Sequence, residues 1–237
     1  MKQKLKSWPY ALLLLPLVFL LTTKCKKTDN NSTGINENNG TVTDVEGNIY
    51  STVKIGNQVW MAENLNTTKY RNGDPIPNVT SDTAWYLLTK GAFCNFDNDP
   101  NNSISYGKLY NWYAVNDSRQ LAPIGWHVPT HAEWSTLFTF LGGDSIAGAK
   151  IKETGISHWP SPNSGSTNET GFTAIPGGYR SEIGDFWFIN YRGYWWSSSS
   201  TPQYLVWYLF LLPNFNGAIN DDLRHFSVGL SVRCIKD

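Results

Sequence analysis

The segment GWHVPTHAEW, residues 125 to 134, places His127, His131 and Glu133 close enough in sequence to bind a metal or pass a proton. Two histidines four positions apart make a zinc pair only when both lie on one helical face. Here Thr130-His131-Ala132-Glu133 reads as a T-x-x-E capping box, and Pro129 precedes it. The helix therefore starts after Thr130, His127 falls in the extended segment before it, and Glu133 is committed to capping. Thr130 and Glu133 are expected to be structural, and no metal is expected at this stretch.

Other reactive patterns are sparse. The sequence contains no G-x-S-x-G elbow, no phosphate loop and no H-E-x-x-H helix. Glu153, Glu169, Glu182 and Asp185 could supply a hydrolytic pair, but their spacing singles out no two of them. The run DNDPNN places Asp97, Asp99 and Asn101 like the first ligands of a calcium loop. Asn102 and Lys108 then stand where an EF-hand has its glycine and its glutamate. A solvated turn is the expectation there and no cofactor is expected, with a looser oxygen-ligand calcium site as the weaker alternative.

The residues best suited to recognition are aromatic. Phe186, Trp187, Phe188, Tyr191 and Tyr194 share a glycine-bounded segment with Asp185, Asn190 and Arg192. A second group runs from Tyr204, Trp207 and Tyr208 to Asn214, Asn216, Asn220, Asp221 and Asp222. Flat rings flanked by amides and charges suit stacking on a sugar ring or anchoring a protein hot spot. The candidate ligand residues are Trp187, Tyr191, Arg192, Trp207, Asn214, Asn216, Asp221 and Asp222. Trp60, Trp112, Trp126, Trp134, Trp195 and Trp196 are expected to pack the core instead.

These residues must be positioned by one domain. The chain has 237 residues, 41% of them hydrophobic and 16% charged, enough to bury one good core. Its 19 Lys and Arg balance 19 Asp and Glu, with no basic stripe after the first 27 residues, so nucleic acid is not an expected partner. At the N-terminus Lys2, Lys4 and Lys6 precede an apolar run from Ala11 to Leu21, then Cys25. That run suits a signal-peptide core better than a spanning helix, which needs roughly 20 apolar residues. Cys25 in this setting resembles the lipidation site of bacterial lipoproteins, although Lys24 stands where that site has a small residue. We expect a signal peptide over 1–24, then a lipidated cysteine with a flexible Asn-rich linker over 25–40, and one domain over 41–237.

Within that domain, residues 41–65 alternate apolar and polar positions around two turns, Glu46-Gly47-Asn48 and Gly56-Asn57, as a β-meander. Residues 66–105 read as loop, and 106–115 as one short helix in preference to a buried strand. A helix follows Thr130, with Trp134, Leu137, Phe138 and Leu141 at helical spacing and Gly142-Gly143 as its stop. Beyond residue 150 come short aromatic strands, including residues 204–212 and a closing strand in 226–237. The expected class is α+β, an irregular antiparallel sheet with about two flanking helices and long loops.

Six stretches in this order, GNIYSTVKIGNQVWMAENL, YGKLYNWYAV, GWHVPTHAEW, ETGFTAIPGGYR, GYWWSSSS and SVRC, resemble the Fibrobacter succinogenes major paralogous domain. That domain is found in many surface lipoproteins of Bacteroidetes and Fibrobacteres. It is in turn similar to the formylglycine-generating and sulfatase-modifying group, through HVPTHAEW and SVRC. The resemblance implies a C-type-lectin-like fold, in which the N- and C-terminal strands pair. Many relatives carry cysteine where this chain has Ala122, which leaves Cys94 and Cys234 as the only pair for a disulfide outside the inner membrane. Formylglycine formation needs a reactive, copper-holding cysteine pair, and none of Cys25, Cys94 and Cys234 fits that role. The glutamate-proline-asparagine and glutamine-proline-aspartate triplets of calcium-dependent lectins are absent. The expectation is a non-catalytic binding module, lipid-anchored at the outer membrane or cell surface, with a periplasm-facing arrangement as the alternative. Its partner is expected to be a glycan or polysaccharide first and a cell-surface protein second, with an oxidase or hydrolase the least favoured readings.

Overall fold

The computed structural model describes residues 40–163, 165–201 and 205–237, with the side chains of 221–223 outside the description. The expected signal peptide, Cys25 and all of the linker but Gly40 therefore lie outside the described residues. The described chain is α+β, built from antiparallel sheets and few helices. Among the described residues no helix is long and apolar enough to cross a membrane.

The meander forms as expected, with β1 (Thr41–Thr43), β2 (Ile49–Ile55) and β3 (Gln58–Met61) paired antiparallel. Asp44 fixes the first turn by accepting the Glu46 and Asn48 N–H groups and the Tyr50 hydroxyl. The second turn uses Gly56, whose φ of 60° a side chain rarely adopts. The last strand, β12 (Ile235–Lys236), inserts between β3 and β6 (Trp126–His127), so the end of the chain closes the sheet begun by the meander.

The segment expected as loop, 66–105, is interrupted by α1 (Asp82–Tyr86), β4 (Phe93–Cys94), a 3-10 turn (Phe96–Asn98) and α2 (Asn102–Tyr106). The helix expected over 106–115 is instead β5 (Leu109–Tyr110), paired to β4, followed by α3 (Trp112–Val115). Asn111 divides the two. Its Oδ1 accepts the Ala114 N–H and caps α3, and it also accepts Ala92 N–H at 2.9 Å.

The helix α4 (His131–Phe140) starts where the sequence places it. Thr130 accepts the Glu133 N–H, and Glu133 accepts the Thr130 N–H in return. Its buried face, Trp134, Leu137 and Phe138, meets Trp60, with the Trp60 and Trp134 rings 4.6 Å apart. After Gly142 and Gly143, both at positive φ, the chain turns at once into α5 (Asp144–Ile151). Gly148 sits inside α5 because a Cβ there would meet the Gly217 carbonyl oxygen at 2.0 Å. Thr130→Ala is expected to lower unfolding free energy by about 1 kcal/mol, the usual worth of a cap. Urea denaturation of the two proteins measures it, and identical midpoints would mean the box does not hold the helix.

Two further sheets complete the domain: the hairpin of β7 (Gly177–Arg180) with β8 (Phe186–Ile189), and β9 (Gly193–Ser200) with β10 (Leu205–Leu211) and β11 (Ile219–His225). Neighbours on a strand face opposite ways, so Trp195 enters the cluster of Trp60, Trp134 and Leu209, while Trp196 enters that of Tyr110, Trp126 and Val232. All six tryptophans expected in the core are buried. Buried cations tie down the irregular segments. Arg180 donates to the Val79, Thr80 and Gly184 carbonyls, and Lys152 to those of Leu212, Pro213 and Phe215. Burial lowers the Lys152 ammonium to about 8.

Candidate functional site

His127 lies between two carboxylates. Its Nδ1 is 2.7 Å from Asp237 and its Nε2 is 2.8 Å from Glu133, the capping glutamate. Holding both contacts requires a proton on each ring nitrogen. Burial opposes the charge, but Asp237 and Glu133 outweigh it and hold the imidazole above its usual pKa. His131 points elsewhere, its ring 4.5 Å from that of Trp207. The two histidines are thus divided as the capping argument requires. The ion-paired imidazolium stabilises the fold below the unfolded-state value of about 6.5, and that contribution is lost as pH rises through the raised folded-state value. Because the ring is half-exposed, under about 1 kcal/mol is expected. His127→Gln should abolish this alkaline-side loss in denaturation curves taken across that range, and an unchanged slope would contradict the ion-pair reading.

Cys94 and Cys234, considered for a disulfide, are both free thiols. They are packed in separate apolar clusters and the structure does not bridge them. Burial pushes Cys94 up to about 12 and raises Cys234 as well, which leaves neither as a ready thiolate. Within the calcium-loop pattern, Asp99 Oδ1 accepts the Asn101 N–H at 2.9 Å. Among the described residues no group of three or more His, Cys, Asp or Glu is arranged to hold a metal ion.

The aromatic candidates of the β7–β8 hairpin do come together. Gly178 and Phe188 lie opposite each other, both with left-handed backbones, at φ of 64° and 65°. A Cβ on Gly178 would lie 2.5 Å from the Trp187 carbonyl oxygen, so the close approach needs glycine. Regular alternation would send Trp187 and Phe188 to opposite faces. The irregularity instead leaves their rings 6.2 Å apart, with Phe188 also 6.2 Å from Tyr191 and 6.1 Å from Tyr179. Left-handed Phe188 and Asn190 each cost of order 1–3 kcal/mol, the kind of strain that collects at functional sites. Trp187 is 48% exposed, Tyr191 44% and Phe188 36%. The Arg192 guanidinium carbon lies 4.1 Å from the centre of the Phe188 ring and 5.8 Å from that of Tyr191.

The aromatic face continues inward onto the β9–β10–β11 sheet. Tyr179 meets Tyr194 at 5.1 Å, and Tyr194 meets Tyr208 and Phe210 at 5.9 Å each. Arg224 stands over Tyr179 and Tyr208 at 5.2 and 5.4 Å. Tyr179, Phe210 and Arg224 were not singled out from sequence. Period-2 spacing pairs Tyr208 with Phe210, but only strand pairing reveals that Tyr179 and Arg224 join them.

The remaining candidates sit apart. Trp207 faces α4 against His131, on the opposite side of β10 from Tyr208. Asn214 and Asn216 are exposed on the β10–β11 loop, where Asn216 O accepts the Ala149 N–H of α5. Asn220 donates to His131 O and Ser135 Oγ, joining β11 to α4. The side chains of Asp221 and Asp222 lie outside the description. Three shallow clefts of about 110, 180 and 220 Å³ lie away from the aromatic face, the first two beside Arg71 and the third beside Asn64.

No curated protein and no solved structure matches the chain. Residues 53–236 match the model of the Fibrobacter succinogenes major domain. That span takes in β3, the closing β12, both long helices and the whole aromatic face, and on it the chain belongs to the Fibrobacter succinogenes major domain family.

Proposed function

We propose that the chain is a non-catalytic, surface-displayed binding module that recognises polysaccharide. Its domain is read as C-type-lectin-like, carried on a lipid anchor at Cys25 and the linker that follows. The observation that carries this reading is the exposed platform of Trp187, Phe188 and Tyr191 overlaid by Arg192. Three adjacent rings on an open face suit the apolar C–H face of a pyranose along a polymer, and they are distinct from the small clefts. The pairing of β12 with β3 supports the lectin-like reading, and the polar residues after Cys25 suit a tether at the outer membrane or cell surface. Burial of both domain thiols argues against oxidase chemistry at cysteine.

A second reading, protein adhesion, is favoured by exposed Tyr86 and Leu87 beside α1 and Ile183 in the β7–β8 turn, joined through the Arg180–Asp82 ion pair. Retention of the full chain on a panel of immobilised polysaccharides tests the first reading. Specific retention with loss in Trp187→Ala is expected. No retention on any polysaccharide, with or without calcium, would contradict it.

A further inference from the structure

We infer that the platform is built for an acidic polysaccharide, with the Arg192 guanidinium taking the carboxylate of a uronate residue whose ring lies against the neighbouring aromatic side chains. This rests on the reading of the hairpin as a polysaccharide platform and adds the charge of the ligand.

The arginines set this face apart. Elsewhere Arg119 pairs with Asp74 and Asp117, Lys150 with Glu169 and Arg180 with Asp82, while Arg71, Lys152 and Arg233 donate to carbonyl or amide oxygens of the chain itself. Among the described residues neither Arg192 nor Arg224 pairs with a carboxylate, although both lie in the aromatic face. Arg192 Nε is buried with no hydrogen-bond partner, and its guanidinium carbon lies over the Phe188 and Tyr191 rings at 4.1 and 5.8 Å. The hairpin's own carboxylates, Glu182 and Asp185, belong to its 181–185 turn, at the far end of β8 from Arg192.

The two guanidinium groups also converge. Arg192 lies over Phe188 at 4.1 Å and Arg224 over Tyr179 at 5.2 Å, and those two rings are 6.1 Å apart. Their positive charge, from the β8–β9 connection and from β11, is concentrated where the rings of Tyr179, Tyr194 and Phe188 meet. Arginine stacked on a ring keeps its in-plane donors free, and a planar carboxylate matches that fork better than an uncharged hydroxyl does. A uronate polymer offers one such carboxylate beside each pyranose face, which fits a guanidinium set among several rings. A densely sulfated polymer calls for a broad basic field, and this chain has zero formal net charge with scattered Lys and Arg.

The test is calorimetric titration of the full chain with polygalacturonate and alginate oligosaccharides, each beside its esterified, uncharged form. We expect the acid forms to bind roughly tenfold tighter or more, the value of one charge-assisted contact, with the preference shrinking at high salt. Arg192→Gln should erase the preference for the acid form, bringing acid and ester to one affinity. Arg192→Lys should recover only part of it. Thermal melting confirms that each variant folds, and the acid-to-ester comparison in the wild type needs no variant. Equal affinity for acid and ester, lost together in Trp187→Ala, would overturn the acidic-ligand inference and keep the platform. Dextran sulfate binding as tightly as the uronates would overturn the carboxylate assignment. Absence of binding to every polysaccharide would remove the platform reading itself.

Discussion

Arg233→Ala is expected to cost about 3–5 kcal/mol, a large share of the 5–15 kcal/mol by which a domain is usually stable. Arg233 is fully buried and has no carboxylate partner among the described residues. It donates to Asn64 Oδ1 at 2.8 Å and to the Phe172 and Met61 carbonyls at 2.6 and 3.3 Å, with Phe172 beneath it at 4.5 Å. The same region is laced by backbone bonds from Met61 N–H to Cys234 O and from Leu65 N–H to Val232 O. Truncation would strand the buried Phe172 and Met61 carbonyls, leave Asn64 Oδ1 with only the Trp195 indole N–H, and open a cavity, penalties that add. Arg233→Lys should also be destabilising, because one ammonium cannot reach acceptors arranged around a planar fork. Urea denaturation reads the loss as a lower midpoint at unchanged slope. A midpoint within about 1 kcal/mol of wild type would show that SVRC does not hold the closing segment through its arginine.

Trp187→Ala should weaken polysaccharide binding roughly 30-fold, the equivalent of about 2 kcal/mol for an aromatic hot spot. Its stability should change little, since Trp187 is half-exposed and its ring meets only Phe188 among the described ring contacts. Trp207→Ala separates the two aromatic groups. Trp207 packs on His131 at the start of α4, so its loss should lower the melting temperature and leave binding within a few-fold of wild type. Titration and thermal melting of both variants read the contrast directly. A binding loss from Trp207→Ala as large as that from Trp187→Ala would contradict the placement of the site.

The capping box at Thr130 and Glu133, the meander and the core tryptophans were legible because each depends on local pattern, whether spacing, a turn residue or period. The helix α5 was not, because Gly143 offers no side-chain cap and DSIAGAKI has a weak apolar stripe around a glycine required by Gly217. The short helix read over 106–115 broke at Asn111, whose side chain serves two backbone donors at once. The same division holds for the site. Trp187, Tyr191 and Arg192 are close in sequence and lie together, whereas Trp207 was grouped with Tyr208 by proximity and separated from it by strand alternation. Tyr179 and Arg224 enter only through pairing between distant strands, which no short stretch encodes. Cys94 on β4 and Cys234 just before β12 likewise enter different clusters, a separation that no short stretch encodes.

The most direct test of the platform is hydrogen–deuterium exchange of the full chain with and without polygalacturonate oligosaccharide. Protection concentrated in residues 186–194, with Tyr179 and the β11 segment around Arg224 at its edge, is the predicted result. Protection confined to the β10–β11 loop at 212–218, or to the clefts beside Arg71, would place the ligand elsewhere and contradict it.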